Sequence, residues 1–230
     1  MLISPQKVAV HVNHVRSRIH EAAVASGRDP ASVTLVAVTK GKPAELLRAA
    51  AATGVTDFGE SYLQEATAKM RELEALALQW HFIGGIQSNK TRAIAEHFQW
   101  IHSIDRLSVA RRLSDQRPFH APPLNVCIQV AVVPEPTKGG IDPADLQELA
   151  ARTAELPRIK LRGLMCVPPP QPTVAAERAV FARVRHLLEG LKARGHVLDT
   201  LSMGMSGDFE SAIAEGATHV RVGTALFGTR

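Results

Sequence analysis

Eight times along this 230-residue chain, a short and nearly continuous apolar run is followed by a stretch whose apolar residues recur at helical spacing. That alternation constrains the fold more than any other feature. The runs fall at 33–39, 56–59, 81–84, 101–104, 124–133, 161–167, 198–203 and 219–222. Residues apolar at successive positions suit strands buried on both faces, hence a parallel sheet covered by helices. A further helix precedes them, with Val8, Val12, Val15, Ile19 and Ala22 on one face and an end near Gly27. Pro43, the Asp142–Pro143 pair and Thr173 mark later helix starts. Eight strand–helix units close naturally into a (β/α)8 TIM barrel, here with an extra N-terminal helix. An open doubly wound sheet is the alternative, but TKGKP after the first run lacks the GxGxxG spacing of a dinucleotide site. No linker or low-complexity segment divides the chain, so one domain over 1–230 is expected.

Composition narrows the function classes. The 27 basic and 22 acidic residues give a net charge of +5 but are interspersed, and aromatic residues make up only 4% of the chain. That is too few for base-stacking platforms, so nucleic acid is not the expected partner. No segment approaches the roughly 18 consecutive apolar residues of a membrane span. Cys127 and Cys166 sit in apolar segments without metal-ligand spacing or a secretory leader before them, which suits buried, reduced thiols in a cytoplasmic protein.

Lys40 ends the first apolar run. In a barrel, side chains at the C-terminal ends of strands point into the mouth where active sites lie. An ammonium held there against apolar walls loses hydration, which favours the free amine, a Schiff-base nucleophile. A lysine that merely snorkels to solvent is the competing reading, and Lys42, two residues on, reads as a surface residue. At the far end of the chain, LSMGMSGDFESAI places Ser206 and Gly207 where a strand turns into a helix. VRVGTALFG repeats the device with Gly223 and Thr224. Backbone N–H groups at such turns can face an anion, and the loops after strands seven and eight are where these barrels most often hold phosphate. Either loop alone could be ordinary turn chemistry. Together, opposite a strand-end lysine, they suggest pyridoxal 5′-phosphate (PLP), which carries an aldehyde and a phosphate on one ring. A phosphosugar aldolase would need the same two parts.

At this point the residues resemble a known family. LVAVTKGKP, FGESYLQEA, WHFIGGIQSNK, the lysine–glycine step of EPTKGGI, GLM, LSMGMSGDFESAI and VRVGTALFG run in this order along almost the whole chain. Together they look like the pyridoxal phosphate homeostasis protein (YggS/PROSC) family, which has the barrel of the alanine racemase N-terminal domain. The resemblance implies PLP held as an internal aldimine on Lys40, phosphate contacts from Ser206, Gly207, Gly223 and Thr224, and Arg221 beside the pyridine nitrogen. A cation there disfavours protonation of the ring and weakens it as an electron sink. It also implies a regulatory role in vitamin B6 balance without established catalysis, with PLP-dependent apo-enzymes as possible recipients. Ser61, Gly85 and Ala131 depart from the family pattern and bear on how the mouth holds or releases the cofactor. Lys90 and Lys138 match family lysines or are plain surface charges.

A PLP-dependent racemase-like enzyme is the alternative. Racemisation needs a second base on the far face of the cofactor, taken in racemases of this fold from a further domain, and this chain stops at Arg230, just past the eighth unit. Its one tyrosine, Tyr62, falls on the helix after the second run. His81 could line the mouth or be a satisfied barrel residue. A monomer is expected, because no apolar helix face is left unassigned.

Overall fold

The computed structural model describes residues 3–133 and 139–229. Eight parallel strands, β1 (Thr34–Val38), β2 (Asp57–Glu60), β3 (Gln79–Phe82), β4 (Trp100–Ile104), β5 (Leu124–Gln129), β6 (Ile159–Met165), β7 (Thr200–Ser202) and β8 (His219–Val222), close in sequence order into a barrel. The last strand pairs with the first, Val36 opposite Arg221. After the N-terminal α1 (Pro5–Ala25), the outer layer is α2 (Ala44–Ala51), α3 (Leu63–Glu72), α4 (Thr91–His97), α5 (Leu107–Gln116), α6 (Leu146–Ala154), α7 (Val174–Ala193), α8 (Phe209–Ala214) and α9 (Thr224–Phe227).

The expected α1 forms for the expected reasons. Pro5 occupies its first turn, where a missing N–H costs nothing, and Gly27 at φ +67° turns the chain out while the Arg28 N–H closes on the Ala23 carbonyl. Val8, Val12, Val15, Ile19 and Ala23 are buried, and full burial of each valine contributes about 1.5–3 kcal/mol. The helix lies against α2, α8 and α9, across the seam where the first and last strands meet. Arg28 donates to the carbonyls of Ile213 and Ala217, each at 2.8 Å, fixing that position.

Most of the core lies between strands and helices. The barrel interior is different: Trp100, Cys127 and Met165 form a separate apolar cluster, and His81, His102 and His219 pack beside them. Contact between Trp100 of β4 and His219 of β8, with ring centres 4.9 Å apart, is possible only across the lumen. At one place the barrel needs glycine. A Cβ on Gly163 of β6 would sit 1.8 Å from the Thr200 carbonyl oxygen, next to the register shift at Val126 and Cys127 in β5.

Only β8 keeps its expected limits; the other strands shift by one or two residues, and β5 ends four residues early. The run at 124–133 ends as a strand at Gln129: the Val130 N–H still donates to the Met165 carbonyl of β6 at 2.9 Å, but Val130 also bridges Ile141, and the Ala131 N–H donates to the Ile141 carbonyl at 2.9 Å. The run at 198–203 contributes only Thr200–Ser202 to the sheet.

Candidate cofactor site

Parity along β1 sets the site. Gly59 of β2 faces the Val36 and Val38 side chains inside the barrel, so Lys40, two residues beyond Val38, continues the inward row while Thr39 turns outward. Thr39 is tied down there. Its hydroxyl donates to Glu60 Oε1 at 2.6 Å, and its carbonyl accepts from Lys69 Nζ at 2.6 Å. Lys69 also pairs with Glu60 at 2.6 Å and with Glu65, whose Oε1 accepts the Gly41 N–H. Gly41 takes φ +71°, a turn for which glycine is suited. Burial raises the Glu60 carboxyl, and the Lys69 and Thr39 hydrogen bonds counter that only in part.

Lys42 is not the surface residue expected. It is buried, and its ammonium donates to the carbonyls of Phe227, Gly228 and Thr229 at 3.0, 3.1 and 2.9 Å. These oxygens close the end of α9, where a cation is favoured. The residues around Lys40 are therefore anchored to α3 on one side and to the chain's last turn on the other. Lys40 itself is exposed, and its ammonium has no partner among the described residues. The desolvation expected from the sequence is absent.

Lys40, Ser206, Gly207, Arg221, Gly223 and Thr224, the six residues singled out in the sequence, line one cavity of about 320 Å³. Ser206 Oγ accepts the Ala225 N–H at 3.2 Å and so ties the β7 loop to the β8 loop. The Ser206 and Gly207 N–H groups have no acceptor among the described residues. Gly204 shapes the turn into α8 at φ +91°, where a Cβ would lie 2.7 Å from that of Ala212. Gly223 lies over β1, a Cβ there falling 3.2 Å from the Val38 carbonyl oxygen.

Arg221 is 4% exposed and donates from Nη1 to Ser202 Oγ at 2.7 Å and from Nη2 to the Cys166 carbonyl at 2.8 Å. Of its five N–H groups, three are left for a ligand. It has no carboxylate partner among the described residues. Cys166 and Cys127 are buried free thiols, their pKa values pushed up to about 12 by burial.

A second cavity of about 470 Å³ adjoins the first, sharing Lys40 and Ser61 as walls and adding Tyr62, Gln64, Gly85, Gln87 and Lys90. Tyr62 is half exposed and sits at the start of α3 rather than within it. A side chain on Gly85 would meet nothing within 4 Å, so glycine here leaves this lobe open. Ala131 lies apart from both lobes, beside Val132, Gly139 and Cys166. Lys138 falls outside the described residues. His81 is a fully buried barrel residue, not a residue of the mouth. The sequence reading missed Lys42, Lys69, Glu60, Ser202 and His102. Only the spacing of four between Glu65 and Lys69 gave a local signal.

The anchored loop with its one free lysine, the N–H groups of two adjacent turns and a buried guanidinium fit a ligand with a carbonyl carbon, a phosphate and a ring acceptor. The comparisons agree. The alanine racemase N-terminal domain model matches residues 10–230. The pyridoxal phosphate homeostasis protein of Pseudomonas aeruginosa is 59% identical over 97% of this chain and 96% of its own. That of Escherichia coli K12 is 50% identical over 97% of each. The structure of PipY from Synechococcus elongatus PCC7942 with PLP bound is 41% identical, has a TM-score of 0.86, and is matched over 96% of this chain and 100% of that one. The chain belongs to the pyridoxal phosphate homeostasis protein family, built on the alanine racemase N-terminal barrel.

Proposed function

We propose that this protein holds pyridoxal 5′-phosphate for intracellular vitamin B6 homeostasis, binding it reversibly without turning over a substrate. Lys40 takes the aldehyde carbon, the Ser206–Gly207 and Gly223–Thr224 turns take the phosphate, and Arg221 faces the pyridine nitrogen. The observation that carries the reading is that these six residues line one cavity, in which the Lys40 ammonium has no partner among the described residues. That a 41% identical relative has been solved with PLP bound supports it.

The lining also argues for holding over catalysis. Bound PLP supplies an electrophilic carbon and, with a protonated ring, an electron sink. Arg221 works against the second, because a permanent cation beside the ring nitrogen disfavours its protonation. Lys40 apart, no carboxylate, imidazole, phenol or thiol lines this cavity among the described residues, and the other groups able to act as a base, Tyr62 and Lys90, line the adjoining lobe instead. The adjoining lobe, left open at Gly85, gives an incoming amine access to Lys40, as release to PLP-dependent apo-enzymes requires. The free, buried cysteines suit a cytoplasmic setting, no helix among the described residues is long and apolar enough to cross a membrane, and a monomer suffices for the site as drawn.

The test is the absorption spectrum of the protein with and without PLP, wild type beside Lys40→Ala, followed by borohydride reduction and peptide mapping. A yellow protein whose reduced adduct maps to Lys40, and a variant in which the adduct is lost, are expected. A wild type that takes up no PLP refutes the reading. Steady turnover of an amino acid, lost in Lys40→Ala, would favour an enzyme.

A further inference from the structure

The polar residues inside the barrel join its two ends. Arg221 Nη1 lies 2.7 Å from Ser202 Oγ, and that oxygen 2.7 Å from His102 Nδ1. His102 Nε2 is 2.9 Å from His81 Nδ1, and His81 Nε2 is 2.9 Å from Asp57 Oδ1. The first four residues are at most 4% exposed. Asp57, the first residue of β2, reaches the lower mouth, where its side chain is 20% exposed and lines a cavity of about 400 Å³.

Counting donors and acceptors leaves one arrangement. A guanidinium only donates, so Ser202 Oγ accepts from Arg221. An ionised carboxylate only accepts, so His81 carries its hydrogen on Nε2. A neutral imidazole has one N–H, so His81 Nδ1 accepts from His102 Nε2, and His102 Nδ1 accepts the Ser202 hydroxyl. Burial disfavours the charged form of both imidazoles. Burial alone would raise the Asp57 carboxyl, but hydrogen bonds from His81 and Thr56 outweigh it and hold it ionised. His219 flanks the chain, its ring centre 6.1 Å from that of His81 and 6.0 Å from that of His102, while its Nδ1 meets the Thr218 hydroxyl.

We propose that Asp57 is a positioning residue for Arg221, setting the direction of the whole chain through the tautomers of His81 and His102 and the hydroxyl rotor of Ser202. With a donor in place of the carboxylate the chain reverses. His102 then donates to Ser202, whose two lone pairs are shared between His102 and Arg221 and whose own hydrogen loses its acceptor. Arg221 has the Ser202 oxygen to itself only while Asp57 accepts. The inference deepens the cofactor reading, since Arg221 lines that cavity, but it can be tested without PLP.

In ¹⁵N-labelled protein free of PLP, long-range ¹H–¹⁵N spectra report which ring nitrogen carries each histidine's hydrogen. Wild type is expected to show Nε2–H at His81 and His102. In Asp57→Asn, where the Thr56 hydroxyl donates to the amide oxygen and leaves the NH2 to donate to His81, both are expected to move toward Nδ1–H, and the Arg221 Nε–H signal to shift with them. PLP uptake should weaken about 3- to 10-fold, the worth of one hydrogen bond. Ser202→Ala cuts the chain below Arg221. It should move the His102 Nδ1 and Arg221 signals by itself, including where Asp57→Asn fails to fold, and should uncouple Arg221 from any change at Asp57. A His102 that stays Nε2–H in Asp57→Asn, or an Arg221 signal unmoved by either variant, overturns the proposal. The tautomer change in a protein that takes up no PLP would support the chain and refute the cofactor reading instead.

Discussion

The two mouths of this barrel treat charge in opposite ways. At the lower mouth, Arg162 donates to both oxygens of Asp199 and to Asn125 and lies 4.8 Å from the Trp100 ring centre, while Asp57 takes His81 and Thr56. Charge there is met by charge or hydrogen bond. At the upper mouth, the cations that line the cofactor cavity and its adjoining lobe, Lys40, Lys90 and Arg221, have no carboxylate partner among the described residues. Barrels of this kind place chemistry at the C-terminal ends of the strands and stability at the other face. Here the division can be read in which cations, among the described residues, are left without a carboxylate.

Acid should separate the two halves most widely. Burial first, and the neighbouring His81 second, hold His219 down to about 3. In the unfolded chain it protonates near 6.5, so between about 6.5 and 3 the unfolded state binds more protons and stability falls with pH, by ~1.4 kcal/mol per unit. His81 and His102 are also lowered and add to the loss. Buried Glu60 and half-buried Asp208 in the upper half are raised, chiefly by burial, and act with the opposite sign: they cost stability as pH rises from their unfolded values through their folded ones, and cost nothing below the unfolded values. Urea unfolding at pH 7, 5.5 and 4.5 should show a net loss toward acid, with a shallower slope in His219→Asn. Equal slopes in the two proteins would remove His219 as a cause.

Lys69→Met probes the frame around the free lysine. It strands Glu60 in a buried site, where breaking an ion pair costs about 3–5 kcal/mol, somewhat less at low pH where Glu60 can take a proton. Denaturant titration should show that loss, together with weaker PLP uptake as the Lys40 loop loosens. A variant as stable as wild type would mean that the upper mouth does not depend on this anchor.

The alternation of apolar runs made the eight strands and the order of units legible, because strands buried on both faces cannot hide their composition. The lysine at the strand end and the two glycine turns were legible for a related reason: each sits at a strand–helix junction that the pattern itself locates. What stayed hidden was carried by contacts between residues far apart in the chain. Lys42 caps a helix end near residue 227, and nothing local distinguishes it from an exposed lysine. The interior chain is built from single polar residues inside apolar runs. His219 and Arg221 in HVRV stand two apart, the period of one strand face, and His102 in WIHSI follows the inward Trp100 at the same spacing. Two polar residues at that spacing in a run otherwise fit for burial are the signal that would have revealed a polar lumen.

Asp199→Ala carries the smallest expected effect and separates two readings of the lower mouth. Asp199 is 58% exposed at its side chain, so losing its bond to Arg162 should cost on the order of 1 kcal/mol or less, read as a small shift in the denaturation midpoint. It lies outside the chain that links Asp57 to Arg221, although both acids sit at the same end of the barrel. PLP uptake and the His102 tautomer should therefore be unchanged in Asp199→Ala while both respond to Asp57→Asn. If Asp199→Ala weakens PLP uptake as much as Asp57→Asn does, the upper mouth responds to any disturbance of the lower one through general loosening. A response confined to Asp57 leaves the hydrogen-bonded chain as the route between them, because Asp57 differs from Asp199 in facing a histidine whose second nitrogen continues the chain upward.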